Sequence, residues 1–371
     1  MKVFVVFGTR PEAIKMCPLV LELEKKKEIQ CVVCLTGQHR EMLQQVMDVF
    51  HIKEDYNLDI MKDRQTLTTI TTSILEGMEP ILKKEQPDLV LVHGDTTTSY
   101  AAALAAFYQQ IAVGHVEAGL RTGDIYSPFP EEMNRLMTDR ISTYYYAPTV
   151  NNQQNLLQEG ISDNIYITGN TVIDAFAYTV QENYIFHNQE LNQIDFNKNR
   201  IIVVTAHRRE NLGKPLENIC CALSRIAKEY PDTEVVYPVH LNPSVRETVF
   251  HFLNNIDNVK LIDPLDVLDM HNLMARCFMV MTDSGGLQEE APHFGKPVLV
   301  MRTETERPEA VVAGTVKVVG TDTNMIYNEA VKLLDEEKEY KKMANAVNPY
   351  GDGHASERIV NQILKIKVER K

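Results

Sequence analysis

Short apolar segments alternate with helical patterns along almost the whole chain, and this alternation constrains the fold more than any other feature. In the first half, the strand-like segments are largely β-branched or aromatic and lie at 3–7, 31–35, 89–92, 111–116, 143–147 and 165–168. Helical patterns at 40–50, 67–86 and 97–110 separate them. Strands that alternate with helices in this way predict parallel sheets with crossover helices, and therefore a doubly wound α/β fold.

The alternation pauses in a polar stretch rich in Asn and Gln, residues 181–200, and then begins again. Further strands are predicted at 201–205, 234–239, 259–262, 278–282, 297–301 and 315–319, with helices such as 215–230 and 325–344 between them. A chain of 371 residues is too long for one ordinary core. We therefore expect two Rossmann-like domains, 1–180 and 181–355, that face a cleft, with a final helix at 356–371 that packs back on the first domain.

The composition narrows the class of partner. A formal net charge of -13 argues against a broad nucleic-acid-binding surface. No apolar run reaches the roughly 18 residues that a membrane-spanning helix needs. Two of the six cysteines, Cys31 and Cys34, are three apart within a strand-like run, where their side chains face opposite sides. We expect reduced, buried thiols and a cytoplasmic protein with no nucleic acid or membrane as partner.

Familiar cofactor motifs are missing from the sequence. It contains neither the GxGxxG pattern of dinucleotide-binding folds nor the GxxxxGK[ST] phosphate loop. Its His and Cys residues do not cluster with the spacing of a zinc site. We therefore expect no bound cofactor and no metal.

Two loops of the second half point to a phosphorylated ligand. Arg208 and Arg209 follow the strand at 201–205 directly, and the second strand, 278–282, leads into a loop that contains Ser284, Gly285 and Gly286. Arginine side chains and backbone N–H groups at a helix start both favour phosphate. His207, which lies beside these arginines, is a candidate site residue. Glu290 is about one helical turn further on and could accept hydrogen bonds from ribose hydroxyls.

Charged residues also follow the strands of the first half. Arg10 and Lys15 come after the first strand, where helix starts usually prefer acids, so we interpret them as cations that face the ligand. Asp95, Glu117 and Glu131 follow successive later elements, and clustered carboxylates suit general acid–base chemistry. Structural alternatives remain open at this stage. Asp95 could instead cap a helix, and Glu131 could offset a helix dipole or pair with a residue four positions on.

Taken in order, these motifs resemble one family. Segments 8–15, 93–98, 115–121, 130–135, 206–211, 283–292, 306–309 and 348–353 are similar to the non-hydrolysing UDP-N-acetylglucosamine 2-epimerases of bacteria. The resemblance covers essentially the whole chain. It implies the two-domain fold of the GT-B glycosyltransferases. It also implies the reversible conversion of UDP-N-acetylglucosamine to UDP-N-acetylmannosamine for cell-surface polysaccharides, by loss and re-addition of UDP through 2-acetamidoglucal.

The resemblance also implies roles for individual residues. Active-site positions are matched by Arg10, Lys15, Asp95, Glu117, Glu131 and His207. UDP-binding positions are matched by Ser284, Gly285, Gly286, Glu290 and Arg307. Met270 stands where relatives often have an aromatic residue beside the uracil, and a methionine can still pack on a base.

A second, regulatory site for UDP-N-acetylglucosamine is implied in the same way. Its pattern is matched by Gln38, Arg64, Arg208, Glu210 and His240, whereas Glu41 replaces the Gln of many relatives. An additional acid near a diphosphate is unfavourable unless it is neutralised or turned away. Allosteric activation and a homodimer are therefore expectations from the resemblance alone.

Three other functions fit parts of the same pattern. A glycosyltransferase of this architecture would need an acceptor, and a hydrolysing epimerase would release free N-acetylmannosamine and UDP. A sugar-nucleotide sensor would bind UDP without chemistry. Three carboxylates near a diphosphate argue against the sensor, because negative charge does not help to bind an anion.

Overall fold

The structure is a computed structural model that describes residues 1–37, 40–62 and 65–366, with the backbone alone for 40–42. The chain divides into two compact units. Unit 1 comprises Met1–Tyr178 and Tyr350–Lys371, and unit 2 comprises Thr179–Pro349.

Unit 1 is built on one parallel sheet in the described part of the chain. Its strands are β1 (Lys2–Phe7), β2 (Gln30–Leu35), β3 (Tyr56–Asn57), β4 (Leu89–His93), β5 (Ala112–Val116), β6 (Tyr144–Ala147) and β7 (Ile165–Ile167). They are arranged in the order β3-β2-β1-β4-β5-β6-β7, with every pairing parallel. The order reverses beside β1, so the loops after β1 and β4 diverge at the same edge, where ligands bind in such sheets.

Helices connect these strands and cover both faces of the sheet. They are α1 (Arg10–Glu24), α2 (Arg40–Val49), α3 (Leu67–Glu85), α4 (Thr97–Tyr108), α5 (Glu131–Ile141), α6 (Val150–Gln158) and α7 (Thr171–Thr179). Central strands are apolar throughout because helices lie on both sides of them. Every residue from Val3 to Phe7, for example, is fully buried.

Unit 2 repeats this architecture with a sheet of order β10-β9-β8-β11-β12-β13 among the described residues. Its strands are β8 (Arg200–Thr205), β9 (Thr233–Pro238), β10 (Val259–Ile262), β11 (Met279–Thr282), β12 (Val298–Val300) and β13 (Val316–Val318). Its helices are α8 (Lys214–Glu229), α9 (Pro243–Leu253), α10 (Val267–Arg276), α11 (Gly285–Glu290), α12 (Pro308–Ala313), α13 (Thr323–Asp335) and α14 (Glu337–Ala344). The last helix of the chain, α15 (Ala355–Ile363), belongs to unit 1 and packs against α1.

The predicted fold class, two doubly wound Rossmann-like domains of the GT-B type, is confirmed. The single helix expected at 325–344 is wrong, because Glu336 adopts an extended conformation and separates α13 from α14. The two-residue strand β3 was not predicted, since it is too short to show a periodic pattern. Within the residues that are described, no helix is both long and apolar enough to cross a membrane.

Candidate active site

Glu12 joins two of the loops at the carboxyl edge of the unit 1 sheet. The sequence Thr9-Arg10-Pro11-Glu12 forms a capping box at the start of α1, and Glu12 Oε2 accepts hydrogen bonds from the N–H groups of Gly8 and Thr9 at 3.1 and 2.8 Å. Its other oxygen accepts from the hydroxyls of Thr96 and Ser99, at 2.7 and 3.0 Å. The side chain is only 2% exposed. Glu12 therefore ties the loop that carries Arg10 to the loop that carries Asp95.

Glu117 lies at the centre of a buried polar cluster. Its Oε2 accepts a hydrogen bond from Lys15 Nζ and another, of 2.9 Å, from Asn170 Nδ2, and His93 Nε2 lies 3.7 Å away. Burial acts to raise the pKa of Glu117, but Lys15 and His93 outweigh it and hold that pKa well below its usual value. The carboxylate is therefore ionised at neutral pH. Its backbone has φ of 68°, the left-handed region that side chains other than glycine rarely adopt.

Asp95 lies next to this cluster. A Cβ added to the preceding residue, Gly94, would be 3.3 Å from Glu117 Oε1, so the two loops are in contact. Asp95 Oδ2 accepts a 2.6 Å hydrogen bond from the guanidinium of Arg135. The helix cap of α4 is Thr96, whose hydroxyl accepts from Ser99 N–H. The alternative that Asp95 serves as the cap is therefore wrong.

The third carboxylate, Glu131, is the first residue of α5 and is half-buried. An acid there also fits the helix dipole. Its neighbour Glu132 is 1% exposed and accepts a 2.9 Å hydrogen bond from Arg135, as well as bonds from two backbone N–H groups of the preceding loop. Arg135 therefore joins Glu132 to Asp95 and aligns the start of α5 with the Asp95 loop.

A second buried pair, His115 and Asp139, lies beside the loops that carry Asp95 and Glu117. His115 Nδ1 is 2.6 Å from Asp139 Oδ1, and its Nε2 is 2.8 Å from the carbonyl oxygen of Gly94. Asp139 Oδ2 accepts from Gly119 N–H at 3.3 Å and from Arg121 at 2.7 Å. The pair thereby fixes the backbone just before Asp95 and just after Glu117.

In unit 2, a glycine allows an arginine to approach the loop after β11. A Cβ added to Gly285 would be 2.8 Å from the guanidinium carbon of Arg307, so a larger residue here would require the Arg307 side chain to move. Arg307 is 8% exposed and bonds at 2.8 Å to both Glu289 and Glu306. Ser284 is the N-cap of α11. Backbone N–H groups, a hydroxyl and a guanidinium are thus gathered where the diphosphate was predicted.

His207 follows β8 and lies beside the same loop. Its backbone N–H donates a 2.8 Å hydrogen bond to Asp283 Oδ2, and its ring stacks on that of His240, with centroids 5.1 Å apart and planes 5° from parallel. Burial is the largest influence on the ring and lowers the pKa of His207; Asp283 acts in the opposite direction, and His240 and Arg208 add to the lowering. The imidazole is therefore neutral at neutral pH.

The residues predicted to bind the nucleoside lie on neighbouring helices. Glu290 ends α11, and its Oε2 is 3.7 Å from Nε2 of the buried His271. Met270 is half-buried and precedes His271 on α10.

Only part of the predicted regulatory site can be placed. Gln38 and Arg64 lie outside the described residues, as does the side chain of Glu41. In unit 2, Arg208 N–H donates to Asp283 Oδ2 at 2.8 Å, and Glu210 is 3.1 Å from Arg302. His240 stacks on His207 as described. The regulatory site stays a prediction.

Among the described residues, one group has metal-ligand spacing: His187, Asp266 and Asp269, whose ligand atoms lie within 4.8 Å of one another. Hydrogen bonds already engage these groups. Asp266 caps α10 and lies 2.7 Å from His187 Nδ1, and Asp269 accepts from Tyr184 and from the backbone N–H groups of His187 and Asn188. We interpret these hydrogen bonds as contacts that hold the loop at His187 and Asn188 against α10.

Comparison with known proteins identifies the family. Residues 21–364 match the family model described as UDP-N-acetylglucosamine 2-epimerase. The UDP-N-acetylglucosamine 2-epimerase of Bacillus subtilis is 57% identical over 365 residues, which cover 98% of this chain and 95% of the relative.

Solved structures of proteins similar to this chain point to the same family. The crystal structure of UDP-GlcNAc 2-epimerase from Neisseria meningitidis bound to UDP-GlcNAc is 50% identical, with a TM-score of 0.92 over 99% of this chain and 100% of that chain. The Methanocaldococcus jannaschii enzyme, in complex with UDP-GlcNAc and UDP, is 34% identical, with a TM-score of 0.81 over 99% of this chain and 100% of that chain. The resemblance predicted from the motifs is confirmed, and the chain belongs to the UDP-N-acetylglucosamine 2-epimerase family.

Proposed function

We propose that the chain is a non-hydrolysing UDP-N-acetylglucosamine 2-epimerase, an isomerase that interconverts UDP-N-acetylglucosamine and UDP-N-acetylmannosamine. One observation carries this proposal: in a chain that matches the family over most of its length, Asp95 and Glu117 lie on adjacent loops, each with a cationic side chain on its carboxylate. Carboxylates held in this way are oriented, as proton transfer at a sugar carbon requires.

The second domain is proposed to hold UDP. The N–H groups of Gly285 and Gly286, the Ser284 hydroxyl and Arg307 would bind the diphosphate, since cationic and N–H donors stabilise phosphate charge. Glu290 would accept the ribose hydroxyls, and Met270 would pack on the uracil. This assignment is supported by the close packing of Arg307 against Gly285.

The chemistry is proposed to use Lys15, Asp95, Glu117, Glu131 and His207, with Arg10 as a further cation. A base removes the C2 proton, the C1–O bond breaks with its electron pair leaving on UDP, and a C1=C2 double bond forms in 2-acetamidoglucal. A proton is then returned to the opposite face of C2 while a UDP oxygen re-forms the bond to C1. Cations and N–H donors stabilise the charge that develops on the departing diphosphate.

Several finer points belong to the same proposal. UDP-N-acetylmannosamine is the product that the 2-epimerase reaction requires, and a homodimer, a cytoplasmic location and a supply of precursors for surface polysaccharides follow from the family resemblance. Activation by a second molecule of UDP-N-acetylglucosamine is proposed through Gln38, Glu41, Arg64, Arg208, Glu210 and His240.

Proton NMR of UDP-N-acetylglucosamine with the enzyme in heavy water tests the function. We expect UDP-N-acetylmannosamine to form without an acceptor or added NAD, and both sugars to gain deuterium at C2. Turnover with protium retained at C2 would refute the elimination route. Free N-acetylmannosamine would indicate a hydrolysing enzyme, UDP accumulation only with an acceptor would indicate a glycosyltransferase, and unchanged signals would indicate a sensor.

A further inference from the structure

Asp283 has two carboxylate oxygens with very different surroundings. The residue follows β11 and is fully buried. Its Oδ2 accepts three hydrogen bonds, from the N–H groups of His207 and Arg208, both at 2.8 Å, and from Asn211 Nδ2 at 3.0 Å. Its Oδ1 is buried and accepts no hydrogen bond from any residue in the described part of the chain. A buried carboxylate oxygen without a donor is costly, so it calls for an explanation.

The His207 ring lies close to this oxygen. Asp283 Oδ1 lies 3.7 Å from His207 Nδ1, just beyond hydrogen-bond length. His240 covers one face of that ring with near-parallel stacking. Approach of the two atoms by less than 1 Å would bring Nδ1 into hydrogen-bond range of Oδ1.

We propose that Asp283 is a positioning residue that holds His207 as the Nδ1–H tautomer and accepts a hydrogen bond from that N–H when the ring becomes protonated. This inference rests on the proposed role of His207 in the reaction. With Nδ1 carrying the hydrogen, Nε2 has the lone pair and is the atom that takes up a proton. The imidazolium that forms has its Nδ1–H towards a carboxylate, and release of the proton from Nε2 restores the neutral ring. No other reactant is needed.

The charges around His207 agree with this arrangement. The groups that act on the ring are Asp283, His240, Arg208 and Glu210. Burial, His240 and Arg208 lower the pKa of His207, and the two acids raise it. Asp283 therefore supplies the main stabilisation available to a protonated ring, because it is buried and close while Glu210 is exposed.

The arrangement also links His207 to the loop after β11 that carries Ser284, Gly285 and Gly286. Asp283 is the residue immediately before Ser284, and the Ser284 N–H donates to Thr282 Oγ1 at 2.9 Å. The carboxylate that orients the imidazole is thus part of the same loop as the proposed diphosphate ligands. Asp283 itself is predicted to touch neither the sugar nor the diphosphate.

Nitrogen NMR of protein labelled with ¹⁵N-histidine tests the proposal directly, with the spectrum of His207→Gln used to assign the ring. We expect neutral His207 as the Nδ1–H tautomer. In Asp283→Asn, the amide oxygen can accept the two backbone N–H groups while its NH2 donates to Nδ1, so we expect the Nε2–H tautomer. We also expect the His207 titration midpoint to fall by about one pH unit and kcat by about 10²-fold or more, with UDP affinity within a few fold of wild type.

Asn211→Ala is the matched control, because it removes a donor to Oδ2 and leaves Oδ1 beside the ring. Its stability should fall, but His207 should keep the Nδ1–H tautomer and its midpoint. An Nε2–H tautomer in the wild-type protein, or an unchanged tautomer and midpoint in folded Asp283→Asn, would overturn the proposal. If Asp283→Asn does not fold, the wild-type tautomer decides. Because these readouts need no turnover, they are independent of the deuterium-exchange test of the proposed function.

Discussion

His115 and Asp139 form a fully buried pair, with 2.6 Å between Nδ1 and Oδ1, beneath the loops that carry two proposed catalytic carboxylates. The other ring nitrogen of His115 faces the carbonyl oxygen of Gly94 at 2.8 Å. Each ring nitrogen of His115 thus contacts an acceptor, the Asp139 carboxylate on one side and the Gly94 carbonyl oxygen on the other. The pair therefore fixes the loop before Asp95 through two directed hydrogen bonds.

Substitution of His115 by Gln removes the ring that makes both contacts. We expect the free energy of unfolding to fall by about 3 kcal/mol, because the buried Asp139 carboxylate keeps Arg121 but loses its contact with His115. We also expect kcat to fall while KM changes little, since the Asp95 loop loses its support. Urea unfolding and steady-state kinetics check both. His251→Gln, an exposed histidine on α9, is the control; equal effects in both variants would contradict the assignment.

Acid stability should depend on the same carboxylate. Burial acts to raise the pKa of Asp139, but His115 and Arg121 outweigh it and hold that pKa below its ordinary value. Because the pKa of Asp139 is lower in the folded than in the unfolded protein, its ionised carboxylate stabilises the fold fully above about pH 4. This stabilisation is lost as the pH falls through the folded pKa. In Arg121→Gln we expect a lower melting temperature than in the wild type at neutral pH, and a difference between the two proteins that shrinks as the pH falls below about 4. Superimposable pH profiles would show that the pair does not contribute.

Glu117→Gln should separate chemistry from binding. Gln keeps the size of the side chain but removes the charge that Lys15 neutralises. We expect kcat to fall by about 10²-fold or more, while UDP affinity, measured by calorimetry, stays within a few fold. Glu79→Gln removes the same type of charge from an exposed pair with Lys83 and should leave kcat unchanged. Turnover above half the wild-type rate in Glu117→Gln would remove Glu117 from the mechanism.

Glu12→Gln tests the tie between two loops. Glu12 accepts five hydrogen bonds through its two carboxylate oxygens. In Gln, one of these oxygens becomes an NH2 group, which cannot accept the hydrogen bonds made to that oxygen. We expect a loss of about 1–3 kcal/mol in unfolding free energy and a lower kcat. Glu24→Gln, at the exposed end of the same helix, is the control. If stability and kcat both match the control, the two loops are held together by other contacts.

Gly285→Ala should weaken UDP binding. The added methyl would lie 2.8 Å from the Arg307 guanidinium carbon, so that Arg307 must move. We expect at least about a tenfold loss of UDP affinity, which corresponds to roughly 1.4 kcal/mol. Gly160→Ala is the comparison, because φ there is 81° and nothing lies within 4 Å of the added Cβ. It should lose stability through backbone strain and keep its UDP affinity; a tighter or unchanged UDP complex in Gly285→Ala would count against the proposed diphosphate site.

The order of strands and helices was predictable because each segment shows its own period, and the ends of parallel strands indicate where polar residues gather. The role of Glu12 at the start of α1 is visible in the sequence, since Thr9 and Glu12 have capping-box spacing. Asp139 had none: it is 24 residues from His115, and only the sheet brings the two together. The role of Asp283 was equally hidden, because it depends on a ring 76 residues away.

Glu117 holds its side chain at a backbone angle that glycine would occupy without strain. A left-handed conformation costs an ordinary residue about 1–2 kcal/mol, so the native protein is less stable than its contacts alone would allow. A glycine at this position would therefore relax the main chain and remove the carboxylate in one step. Loss of a buried ion pair costs about 3–5 kcal/mol, more than the relaxed main chain would return, so the contact between Lys15 and Glu117 maintains the strained backbone.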